Sequence, residues 1–523
     1  MRLVALLIGL FCACAHASTL VVCTAAAPEG FDPALYASAS TYDASSDTIY
    51  NSLVQNDPAS TAIEPALAER WSVSPDGLQY TFYLRHGVKF QTTDWFKPSR
   101  EMNADDVLWT YQRMLDSKHP GGATVNPGGW PIAESFGLAQ TVRRLEKIDP
   151  YTVRFTLNRP DAPFLSYVGH FAFSIISAEY AQQLHAVGKD AQLNTLPVGT
   201  GPFVFKRYDK GAQVRYEANP TYWRGKVAAD KLVLTIVPDP AVRMQKLKRG
   251  ECGLVLFPKP TDVAQIKTDP DIGLAQSRSL VVHSIIFNTQ HHGLGDARVR
   301  RALALALDRT AIVRAVYGDA AVPASSPIPS TLWGADAHVG AMQQDIARAR
   351  QLLKEAGYAD GLTLTLYVRN GGGSNPNPTL TAEMIQSDWA RIGVTAKLVV
   401  LEWGELLRRA NAGEHDVLLM GWGGAVDPDL FISPILSCAA VESGNNQSRW
   451  CNHALDALLD EGRRTTEIKA RTAIYEKAQR LLADEMPLIP LAEPIESVTY
   501  RKNMPGLRLG PVGVHRFEDV TPR

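Results

Sequence analysis

Between positions 362 and 420 the chain alternates strand, helix, strand, helix and strand, and that order leaves few folds open. Residues 362–368 are rich in Leu, Thr, Tyr and Val and read as a strand. Residues 379–392 read as a helix ended by Gly393, and 395–401 as a second strand. A helix over 403–411 and a third strand over 417–420 follow. Parallel strands joined through a helix take a right-handed crossover, so the fold class is α/β. In open α/β sheets a ligand binds beyond the carboxyl ends of the strands. Those ends are 369–374, 402–403 and 421–429. Gly371, Gly372 and Gly373 let the backbone approach a ligand closely. Trp403 and Trp422 offer flat apolar walls with one N–H donor each. Arg369, Gly421, Gly423 and Asp427 lie in the same mouths and join them as candidate ligand-binding residues.

The same alternation recurs outside this segment. Strands are expected over 19–25, 79–85, 151–157 and 231–237. Asn103 can cap a helix carrying Asp105 and Asp106 in its first turn. Further helices are expected over 345–356, stopped by Gly357, and over 468–485, before Pro487. A chain of 523 residues exceeds what one core fills, so two or three domains are expected. With 53 basic against 54 acidic residues, nothing favours a nucleic-acid partner. HExxH, GxSxG and Walker-type loops are absent, so no catalytic residue is assigned. His291-His292 splays on an extended chain without further ligands, so neither a metal nor a cofactor is expected.

Arg2, the apolar run 3–14 and Ala15-His16-Ala17 form a secretory leader cleaved near Ala17, leaving a mature chain from about Ser18. That run is shorter than the roughly 20 residues a membrane span needs. A lipoprotein reading would place lipid on Cys14, but Phe11 stands where such signals prefer Leu. Four cysteines remain in the mature chain, and an even number in an exported protein reads as disulfides. Cys438 and Cys451 are the local pair, which leaves Cys23 with Cys252.

Several motifs resemble the peptide/nickel family of extracellular solute-binding proteins. They are Ala66-Leu67-Ala68-Glu69-Arg70-Trp71, Pro75-Asp76-Gly77 and Tyr80-Thr81-Phe82-Tyr83-Leu84-Arg85, followed by Asn103-Ala104-Asp105-Asp106-Val107. Val198-Gly199-Thr200-Gly201-Pro202-Phe203, Val299-Arg300-Arg301-Ala302-Leu303, Glu402-Trp403-Gly404-Glu405 and Met420-Gly421-Trp422 continue the series, which looks closest to the dipeptide binders. The resemblance implies a two-lobed clamshell. Its first lobe would hold 18–49, 197–280 and a C-terminal return over 497–523, with an extra subdomain over 50–196. The second lobe would hold 281–496. It further implies a monomeric periplasmic protein, not an enzyme, that captures dipeptides or short peptides and passes them to an ABC permease with its ATPase subunits. The same resemblance supports the cysteine pairing and makes Thr41 a candidate contact from the first lobe, with Ala37 where a threonine contact is expected.

The anchors of dipeptide binders are not all in place. The family's amine-binding aspartate follows a Gly-Trp step; here Gly421-Trp422-Gly423-Gly424 is followed by Ala425, then by Asp427 and Asp429. Its carboxylate-binding arginine precedes an Asn-Pro-Asn segment; here that loop is Gly371-Gly372-Gly373-Ser374, and Arg369 is the nearest arginine. Two readings stay open. Asp427 and Arg369 take over the anchoring, or the ligand is another solute such as haem or an antimicrobial peptide. A secreted α/β hydrolase is the remote alternative.

Overall fold

One strand, Leu488–Arg501, ties the two lobes together. The computed structural model describes residues 17–57, 60–123, 129–259, 262–339, 342–371, 374–423, 426–442, 445–511 and 515–522. The early part of the long strand pairs antiparallel with Val281–Phe287, from Ile286 opposite Leu488 to His283 opposite Ala492. Its later part pairs with Leu254–Leu256 and with Ile272–Arg278. The register shifts between His283 and Ser284, where Pro490 faces Ser284. Proline offers no N–H to a ladder, so an irregularity at this point relieves the pairing.

The first lobe is built on Thr19–Thr24, which runs parallel to Lys231–Ile236 and to Leu254–Leu256. Gln213–Ala218 and Phe203–Asp209 extend this sheet antiparallel. In the second lobe Leu362–Arg369 lies parallel to Val394–Leu401, with Pro378–Ala390 as the connecting helix. Val417–Gly423 pairs parallel with Leu362–Arg369 and antiparallel with Val281–Phe287. The α/β fold and the crossover unit therefore match the expectation. The third strand runs further than the expected 417–420, so Gly421, Trp422 and Gly423 are ladder residues facing His283, Val282 and Val281. Glycine is required at 423, because a Cβ there would stand 2.1 Å from the Leu280 carbonyl oxygen.

A separate antiparallel sheet of Ala68–Val73, Gln79–Leu84, Thr152–Leu157 and Val142–Asp149 sits beside the first lobe. The helix Ala104–Leu115 covers it with Val107, Tyr111 and Met114. Asn103 and Asp106 form a reciprocal cap at its start, each side chain accepting from backbone near the other. Arg113 on the same helix reaches Asp32 in a bidentate pair with both side chains fully buried.

Both expected disulfides are formed. Cys23–Cys252 lies in a small core with Val237, Met244, Leu247, Val255, Ile266 and Ile272. The second-lobe core packs around Trp389, whose Nε1 donates to the Leu303 carbonyl at 3.0 Å. Among the described residues no helix is long and apolar enough to cross a membrane.

Candidate ligand-binding site

Strands 362–369 and 394–401 end in register, with Arg369 opposite Leu401. The chain then turns into the helix Trp403–Ala412, capped by Glu402, whose Oε2 accepts from Gly404 N at 2.8 Å. This placement sets the Arg369 guanidinium 4.7 Å from the centre of the Trp403 ring. Trp403 stays 37% exposed, so the stacked pair forms an apolar shelf with a positive charge on it. A Cβ at Gly371 would meet nothing within 4 Å, so the backbone beyond Arg369 borders open space. Gly372, Gly373, Gly424 and Ala425 fall outside the described residues.

Next to this shelf His283 fills the room that a side chain at Gly421 would take, since a Cβ there would be 2.8 Å from its Cε1. His283 Nε2 is hydrogen-bonded to the exposed Ser374 Oγ at 2.8 Å. Burial pushes the imidazole down to about 4, so it is neutral at ordinary pH. Trp422 is half-buried and donates from Nε1 to the Leu430 carbonyl at 2.7 Å, which fixes its ring against the start of the helix Asp429–Leu436. Arg369, Trp403, Gly421, Trp422 and Gly423 thus share one edge of the second lobe. Ser374, from the expected 369–374 mouth, belongs with them, as does His283, which no motif marked.

Two expected contacts are placed differently. Asp427 is 4% exposed, and both its oxygens receive Arg471, at 2.7 and 2.9 Å, with Asp429 N adding a third donor at 3.0 Å. Its carboxylate is occupied by the fold and does not stand free as an amine anchor. Arg471 lies on the buried face of the helix Ile468–Glu485 with Ile474, Tyr475 and Ala478. A charged residue within an apolar stripe was the legible sign of a buried partner. Thr41, in the helix Ala39–Ala44, is also fully buried, and its Oγ1 accepts from Glu29 N and from Ser38 Oγ. It ties the 29–41 turn together.

Close by, the layer carrying the antiparallel sheet meets the second lobe. Ala162 N donates to the Arg463 carbonyl at 2.9 Å, and Arg159 pairs with Asp460 at 3.3 Å. Arg463 in turn holds Asp429 at 2.9 Å. Between them sits Asp161, 2% exposed, with Oδ1 unpartnered and Thr141 Oγ1 3.4 Å from Oδ2. Burial pushes Asp161 up to about 7 from the ordinary 3.8, against the pull of Arg463 and Arg159 and with the push of Asp429 and Asp427. The folded chain therefore holds a proton there that the unfolded chain gives up near pH 4. Stability from this group is present at low pH and is lost as pH rises from about 4 to 7. Glu518, also pushed up to about 7 by burial, acts in the same direction. Denaturation at pH 5 and at pH 8 should show the fall, and Asp161→Asn should reduce it; an unchanged profile in that variant would disprove the assignment.

Among the described residues two groups could each bring three metal-ligating atoms within 4.8 Å. In one, Cys438 and Cys451 are bonded to each other beside His453. In the other, His515 lies 2.6 Å from Asp43 and 3.6 Å from Glu496, with Asp47 Oδ2 accepting from its backbone N–H. Burial lowers the affinity of His515 for its proton, but Asp43 and Glu496 outweigh it and raise the imidazole to about 9. In that state the imidazolium is ion-paired with Asp43.

The family described as bacterial extracellular solute-binding proteins, family 5, middle region, matches residues 62–443. The chain is 48% identical over 507 residues to di/tripeptide-binding protein 2 of Pseudomonas aeruginosa (strain UCBPP-PA14), covering 97% of this chain and 95% of the relative. It is 41% identical over 506 residues to heme-binding protein A of Haemophilus influenzae (strain ATCC 51907 / DSM 11121 / KW20 / Rd), covering 96% and 92%. Among solved structures it superposes with a TM-score of 0.88 on the dipeptide binding protein of Pseudoalteromonas sp. SM9913 in complex with Met-Leu. There the identity is 33% and the coverage 97% of this chain and 100% of that one.

Proposed function

The chain belongs to family 5 of the bacterial extracellular solute-binding proteins, and from that premise we propose that it captures di- and tripeptides in the periplasm for an ABC importer. The observation that carries this reading is the near full-length identity to a di/tripeptide-binding protein. The shelf of Arg369 and Trp403, with Trp422 beside it, supplies an Arg fork for a carboxylate and flat walls for side chains. Two lobes close on the solute by a hinge motion, and the ligand favours the closed form by its differential affinity for it. We read the protein as a binder rather than an enzyme, acting as a monomer that presents peptide to a membrane permease and its ATPase subunits.

The proposed boundaries remain 50–196 for the added subdomain and 281–496 for the second lobe. Export with cleavage after Ala17 is supported by Ser18, whose backbone nitrogen lies 2.8 Å from Asp230 Oδ2. A free α-ammonium created there would meet a carboxylate. One observation favours a second reading, haem in place of peptide: the similarity to a heme-binding protein.

A thermal-shift series on the mature protein tests both readings. A di- or tripeptide at 100 times its Kd should stabilise the fold by about 2.7 kcal/mol. Stabilisation by Met-Leu and none by hemin is the expected result. Stabilisation by hemin alone would overturn the peptide reading.

A further inference from the structure

Phe257 follows the strand Leu254–Leu256 and has a backbone φ of 54°. Bulky aromatic residues seldom enter this left-handed region, and Pro258, next in the chain, disfavours helical-type backbone in the residue before it. Glycine or asparagine would be the expected occupant. The conformation is nevertheless firmly held. Arg243, 3% exposed, donates to the carbonyls of Val237 at 2.7 Å, Pro238 at 2.8 Å and Phe257 at 2.8 Å. One guanidinium therefore clamps the ends of two strands of the first lobe. The clamp leaves the Phe257 ring 38% exposed, although packing it inward would suit an aromatic better.

The register gives that ring its place. Leu256 faces Val498 on the long strand, so Phe257 stands level with Ser497, close to Pro494, around which the pairing of that strand passes from one lobe to the other. It also lies at the carboxyl end of a strand parallel to Thr19–Thr24, the edge where such sheets take ligands. On the other side of the crossing, Gly423 faces Val281 and Trp422 faces Val282. A strained, exposed aromatic held at the seam by a buried cation points to use rather than to packing.

We propose that Phe257 is a ligand contact supplied by the first lobe, a wall for an apolar side chain of the bound peptide. The proposal rests on the peptide reading above and assigns specificity within it. Strain and contact separate by substitution. Phe257→Gly and Phe257→Asn relieve the backbone and remove the ring, whereas Phe257→Tyr keeps the ring and the strain.

Calorimetric titration of the mature protein with Leu-Leu and with Gly-Gly, alongside melting curves, makes the test. In Phe257→Gly and Phe257→Asn the melting temperature should hold or rise while Leu-Leu binding weakens about tenfold or more. Gly-Gly binding should change little, and Phe257→Tyr should bind Leu-Leu as the unmodified protein does. Equal weakening for both peptides, or unchanged binding of both at a raised melting temperature, would overturn the proposal. If the unmodified protein binds neither peptide, the peptide reading itself falls, and the contact with it.

Discussion

Replacing Asp427 by alanine should lower the stability of the protein by about 3–5 kcal/mol, because it strands a buried guanidinium. Arg471 is as buried as its partner, at 4% against 5% side-chain exposure, and gives Asp427 both of its terminal nitrogens. Its Nε is committed to the Gly462 carbonyl, and its face packs 4.9 Å from the Trp333 ring centre. No exit to water is left for the charge. The double variant Asp427→Leu with Arg471→Met should recover most of the loss, since exchanging a buried pair for apolar residues of similar volume is often neutral. Urea denaturation of the single and double variants measures both effects. The same experiment separates the structural role from an anchoring one. Peptide affinity of the folded Asp427→Ala fraction should stay within about threefold, whereas an amine anchor removed from a closed cleft costs 10-fold or more on the scale of charge-assisted bonds. A stable variant that no longer binds peptide would reverse this assignment.

Removing the long-range disulfide should be equally costly. Cys23 and Cys252 are 229 residues apart, and the chain-entropy relation gives about 5 kcal/mol for a loop of that order. Cys438–Cys451 closes a separation of 13 and should contribute about 3 kcal/mol. Cys23→Ala with Cys252→Ala should therefore shift the urea midpoint more than the corresponding change at 438 and 451. Since Cys23 and Cys252 are 0% and 1% exposed, a reductant added to native protein should leave that bond intact until urea opens the core. Rapid reduction without denaturant would contradict the burial.

Elements governed by local chemistry were legible in the sequence. The helix Ile468–Glu485 has the expected limits, and the helix after Asn103 carries the cap read from its first residues. The crossover unit was legible because its strands and helix are consecutive. Elements governed by distant pairing were not. Leu488–Arg501 contains Pro490 and Pro494, which argue against a strand until partners on both sides are known. Gly421–Gly423 read as a loop because glycine is a poor strand former, yet they pair because Leu280 and His283 occupy the space of their absent side chains. At the candidate site, Arg369, Trp403 and Trp422 were expected from strand ends alone, and the fold places them along one edge. The pairing of Asp427 was not legible because its partner Arg471 lies in a later helix, nor was the setting of Asp161, whose charged neighbours Arg463, Asp429 and Asp427 come from the second lobe.

The long shared strand also bears on how the jaws can swing. Its change of allegiance falls around Pro494, whose carbonyl accepts from Ser279 N at 3.0 Å, while the following Ile495 N reaches the Ala320 carbonyl at 2.8 Å. An imino acid has no amide hydrogen to surrender, so a twist centred there breaks fewer ladder bonds than one placed elsewhere along the ribbon. A torsion centred at that position would leave the ladders on either side of it paired.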